Sequence, residues 1–179
     1  MCLEFMSDKI PAIDQTFKVL EQMVDVIQGY NARNEKDELK ATLTGKREEF
    51  DRLYSSCEKD NNKNDGIKAF QLIQQYVERV KGQYDRNPVD NARVKSETLH
   101  ARQVANFFLD VCRDICGMLQ NTPQTDTAYS TMIQEQLATY TPITFEYVEG
   151  MQRRREATHR QLKAAGKLGA LLAKLKAVV

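Results

Sequence analysis

The 179-residue chain has no tryptophan, only four prolines and eight glycines, and no apolar run approaching eighteen residues. Scarce proline and glycine leave few points at which a helix must stop. Without a long apolar run, no helix is expected to cross a bilayer. The four cysteines, Cys2, Cys57, Cys112 and Cys116, form no Cys-x-x-Cys pair, so no zinc module of recognised spacing is present. Cys112 and Cys116 lie one helical turn apart among apolar neighbours and read as small buried side chains in a reducing compartment. The first seven residues lack both a basic start with an apolar run and any arginine, which argues against a secretory or mitochondrial leader. Phosphate loop, nucleophile elbow and dinucleotide fingerprint are all missing. The chain therefore reads as soluble and cytoplasmic, with no cofactor and no catalytic residue expected.

What is abundant points to helix. Apolar residues make up 41% of the chain and charged residues 28%, and Gln, Lys, Glu, Leu and Ala are good helix formers. Ile10, Ile13, Phe17, Leu20, Val24 and Ile27 step by three and four, as a buried helical stripe does. Leu39, Leu43, Phe50, Leu53 and Cys57 form a second stripe, out of phase with the first, so a break is expected near 31–37. Asp60 to Gly66 reads as a turn, and so does Asn121 to Asp126. Between them one alternation runs from Phe70 and Val77 through Asn87 and Asn91 to Cys112 and Leu119. A phase kept across Pro88 favours one long helix kinked there; a tight corner, with Asn87 as cap and Pro88 at the first helical position, is the alternative. Thr141 and Pro142 pose the same choice in the third segment.

Three segments of near-equal length result, at 10–60, 65–120 and 125–178, within a single domain spanning 1–179. The fold class is all-α. Either the segments form an antiparallel three-helix coiled coil kinked at Pro88 and Pro142, or they fold as a compact five- to six-helix bundle.

Two features carry candidate chemistry. Both histidines sit in Glu-x-x-His, at Glu97–His100 and Glu156–His159. Two such motifs with carboxylates from two further helices (Glu21 or Glu78, with Glu135) are the ligand set of four-helix di-iron proteins. Glu156 has Arg153, Arg154, Arg155 and Arg160 at helical spacing, and an ordinary surface ion pair explains it more simply.

The second feature is charge. Residues 152–179 hold eight basic residues against Glu156 alone, a net +7, which leaves −6 for the rest of a chain that sums to +1. On a helical wheel Leu168, Leu171, Leu172 and Leu175 share one side. The basic contact surface would comprise Arg153, Arg154, Arg155, Arg160, Lys163, Lys167 and Lys174. A last bundle helix, with its leucines in the core and its lysines solvated, competes with three contact readings. These are an anionic membrane surface, an acidic protein partner and nucleic acid, the last ranking lowest because no aromatics are interleaved for base stacking. The leucines are expected to be structural and the arginines available for contact.

These features favour a non-enzymatic helical scaffold or adaptor. It would act through coiled-coil surfaces on a protein partner or on itself as a homo-oligomer, with peripheral contact to anionic membranes as the more specific version. The layout of three long helices, proline-kinked in the second and third, looks like that of crescent-shaped BAR-type membrane-binding dimers. The alternatives are a metal-dependent helical-bundle enzyme using the two Glu-x-x-His pairs, and a structural subunit of a larger complex.

Overall fold

The computed structural model describes residues 11–27, 32–86, 92–123 and 127–178. Their elements are five helices: α1 (Pro11–Asp25), α2 (Ala32–Asp60), α3 (Lys63–Arg86), α4 (Ala92–Asn121) and α5 (Tyr129–Val178). The fold is an all-α helical bundle. No strand occurs among the described residues.

Cross-helix bonds set the directions. Ser56 reaches Asp65 at 2.5 Å near the α2–α3 turn, and far from it Tyr76 donates to the Leu39 carbonyl at 2.7 Å, so these helices are antiparallel. Lys63 reaches the Thr122 carbonyl at 3.2 Å while Lys81 reaches Asn106 at 2.6 Å, which makes α3 and α4 antiparallel too. Tyr140 donates to Asp114 at 2.8 Å, and Tyr147 packs on Phe107 with ring centroids 5.2 Å apart, so α5 runs against α4. Helix α1 lies beside α2 in the opposite sense, with Arg47 on Asp14 and Lys40 on Asp25, and it runs parallel to α5.

The sequence stripes became this core. Phe17, Leu20, Val24 and Ile27 are buried, as are Leu39, Phe50 and Cys57, and Phe70, Val77, Cys112 and Leu119. Phe50 sits at the centre, its ring 5.4 Å from Phe17, 5.9 Å from Tyr54 and 5.5 Å from Phe70. One aromatic cluster thus ties α1, α2 and α3 together.

The three-rod arrangement is not realised, and with it goes the BAR-type layout. The first segment breaks between Asp25 and Ala32, slightly ahead of the expected 31–37. The second reverses direction between Arg86 and Ala92, so it is no kinked rod; Pro88 itself lies outside the described residues. The third continues. Helix α5 runs through Pro142 for 50 residues.

The contrast has a physical basis. Proline removes one backbone donor and disfavours helical geometry in the residue before it. At Pro142 the loss falls on the Ala138 carbonyl, and both residues are exposed, so water can replace the missing bond. Thr141 and Thr144 turn their hydroxyls back onto the Leu137 and Tyr140 carbonyls at 3.2 and 2.9 Å, which keeps the neighbouring turns bonded. Around Pro88 the line that would have to stay buried carries Asn87 and Asn91. A straight helix would leave those amides facing a core.

Candidate functional site

Helix α5 outlasts the bundle. Among its described side chains Met151 is the last buried one, at 4% exposure. Beyond it, every described side chain from Lys163 to Ala177 is exposed. The helix from 152 to 178 extends roughly 40 Å at about 1.5 Å per residue.

The base of this projection is fastened electrostatically. Asp25, at the end of α1, accepts from Lys40 at 2.7 Å and from Arg155 at 3.4 Å. Its hydrogen bond holds the Lys40 ammonium above the usual lysine range. Burial pushes Lys36 below that range, opposed by the charge of Asp25 and reinforced by those of Arg155 and Lys40. Arg154 bonds back to the Gly150 carbonyl at 3.1 Å. One turn inward, His100 of α4 contacts the Tyr147 carbonyl through Nε2 at 3.0 Å and lies against Gly150.

The sequence-derived contact surface is therefore divided. Arg155 serves the junction with α1, Arg154 bonds back within α5, and both remain solvent-accessible. Arg153, Arg160, Lys163, Lys167 and Lys174 are exposed.

The expectation for the leucines is overturned. Leu168, Leu171, Leu172 and Leu175 are 59, 55, 51 and 56% exposed. They belong to no core, because α5 has by then passed the ends of the helices it packed against. Phe145 is likewise exposed, and with Val148 it lines an open groove between α1 and α5 of about 640 Å³. Gln15, Gln22, Gln134 and Gln152 also line it. Asp14 at its edge is engaged by Lys18 and Arg47. Burial opposes ionisation of Asp14, but those two bonds outweigh it and hold its carboxyl below the usual range.

The two Glu-x-x-His motifs are not brought together. Glu97 and His100 are buried in the bundle, whereas Glu156 and His159 are exposed on α5. Glu21, Glu78 and Glu135 all face outward. Among the described residues no three His, Cys, Asp or Glu side chains converge where a metal ion could be held. Cys112 and Cys116 are buried, Cys116 against the Ile67 carbonyl, and among the described residues no histidine completes a zinc set. Burial pushes both thiols up, as it does Cys57.

Comparison of the chain with protein-family models, curated proteins and solved structures finds no match. The reading of the site rests on its own geometry. No described helix is long and apolar enough to cross a membrane. Sequence spacing alone missed the projection, because a stripe of leucines has the same period whether or not another helix covers it.

Proposed function

We propose that the protein is a non-enzymatic helical adaptor, in which the bundle is a mount and the free half of α5 is the docking element. The exposure of Leu168, Leu171, Leu172 and Leu175 along one line of a net +7 segment carries this reading. Four leucines in water are unfavourable unless a partner covers them, at about 25 cal/mol per Å² of apolar surface buried. Among the described residues the bundle offers no competing site of comparable character: no three His, Cys, Asp or Glu side chains converge, and the groove between α1 and α5 is lined chiefly by amides and apolar side chains.

Hydrogen exchange on the free monomer tests the arrangement. Amides of 163–177 should exchange rapidly and those of 129–151 slowly, since local opening is easiest where nothing packs against the helix. Strong protection of 163–177 that persists on dilution to monomer would show that the segment is packed within its own chain and would overturn the reading.

A further inference from the structure

We propose that the surface docked by α5 is an anionic lipid bilayer, against which residues 163–178 lie in the plane of the interface. This assignment rests on the docking role just given to α5 and specifies its partner.

The composition of the segment is the first argument. From Lys163 to Val179 every residue is Lys, Ala, Gly, Leu or Val. There is no acid, hydroxyl, amide, aromatic or arginine, so the only polar groups are four ammoniums on flexible stems. A shaped protein groove is read through directional hydrogen bonds and fixed anchors, and arginine and aromatics dominate such contacts. Lysine is a point charge that suits a diffuse anionic surface.

The distribution around the helix is the second. At about 100° per residue, Leu168, Leu171, Leu172 and Leu175 fall within a sector of roughly 100°. Lys163, Lys167 and Lys174 border that sector on one side and Lys176 borders it on the other. This is the arrangement of an interfacial helix, with its leucines in the upper acyl region and its lysine stems reaching back to the headgroups. Fifteen exposed residues, 163–177, give about 22 Å of in-plane contact.

Charge complementarity removes the alternatives. Pairing with the same helix of a second copy would set Lys167 and Lys174 at flanking positions, with no acid from 157 onward to answer them. Nucleic acid would satisfy the lysines and leave the leucines in water. The rest of the chain carries about −6 and is repelled by an anionic surface, so contact falls on this helix alone. Arg155, paired with Asp25, stays with the bundle.

The absence of tryptophan makes the test clean. Leu171→Trp in the full chain places a single indole in the apolar sector. Vesicles of phosphatidylcholine with phosphatidylserine should shift its emission to the blue and co-sediment the protein, whereas phosphatidylcholine alone should do neither. Added salt should weaken binding. Lys167→Gln and Lys174→Gln in the otherwise native chain should each lower the partition constant about fivefold. Leu168→Ala should lower it at least about tenfold. No binding to phosphatidylserine vesicles at low salt would overturn the proposal, and so would binding indifferent to Leu168→Ala. A blue shift caused by a soluble acidic protein but not by vesicles would also overturn the lipid assignment while leaving α5 as the docking element. Protection of 163–177 in the free monomer would end both.

Discussion

The imidazole of His100 fills the space in which a β-carbon on Gly150 would stand, with Nε2 only 2.7 Å from that position. The ring is held there by the Tyr147 carbonyl at 3.0 Å and by packing on the Tyr147 side chain, centroids 5.8 Å apart. Helix α4 approaches α5 this closely one turn before α5 leaves the bundle. Gly150→Ala should therefore displace the imidazole and cost about 1–3 kcal/mol, the usual range for overpacking. Denaturant unfolding measures the loss. In a His100→Ala background the same glycine substitution should cost much less, because the obstructing ring is gone.

The leucines of α5 and those of the core should answer the same substitution in opposite ways. Leu20→Ala removes a fully buried side chain and should cost about 2–5 kcal/mol. Leu171→Ala should stay within about 0.5 kcal/mol, as exposed substitutions do. Thermal unfolding of the two variants decides the comparison. A large loss for Leu171→Ala would mean that something in the chain covers it.

Asn61 joins the far end of the bundle. Its backbone is left-handed, with φ 47°, and its side-chain oxygen accepts from the Tyr129 amide at 2.8 Å, at the start of α5. Asparagine tolerates that conformation better than alanine. Asn61→Ala should thus lose both the bond and the backbone preference, for about 1–3 kcal/mol in unfolding experiments. Asn61→Gly should lose the bond alone and be the milder change.

Tyr84 donates its buried hydroxyl to the Met23 carbonyl, locking the end of α3 to the end of α1. Burial pushes this hydroxyl above the usual tyrosine range, with the charge of Glu97 adding to it. Tyr84→Phe keeps the ring and leaves that carbonyl without its side-chain donor. A loss of about 1–2 kcal/mol should follow in denaturant unfolding.

Cys57 supplies a pH dependence with a defined sign. Burial raises its thiol from an ordinary value of 9.0 to about 11, with Asp65 and Glu58 contributing. The folded state then holds the proton more tightly than the unfolded chain. Its contribution is complete below about pH 9 and is lost as pH rises through about 11. Stability should fall over that interval, and less so in Cys57→Ala when each is compared with its own value at neutral pH. Alkylation of Cys57 in the folded protein should be slow at pH 8, because the thiolate is scarce and covered.

Much of the fold was legible in residue order. Three- and four-residue spacing among Phe17, Leu20 and Val24, or among Cys112, Ile115 and Leu119, is a local property, and it sufficed to assign helices and their buried faces. The breaks at Asn61 and after Asn121 were equally plain, because asparagine and proline act on the backbone beside them, although the first is confined to Asn61 and Asn62 of the expected Asp60 to Gly66. Composition alone located the +7 segment.

Three-dimensional packing decided the rest. The same residue type turned out differently at two places: the chain reverses around Pro88 but stays helical through Pro142, where exposed Ala138 can offer its carbonyl to water in place of the lost bond. Glu97 and Glu156 precede their histidines identically, yet one pair is buried and the other is out in solvent, because α5 passes the bundle's end between Met151 and Glu156. Whether Leu168 and its neighbours are core or surface is the same kind of question. Periodicity sets which side of a helix is apolar, but only the lengths and directions of the neighbouring helices determine whether anything lies against it.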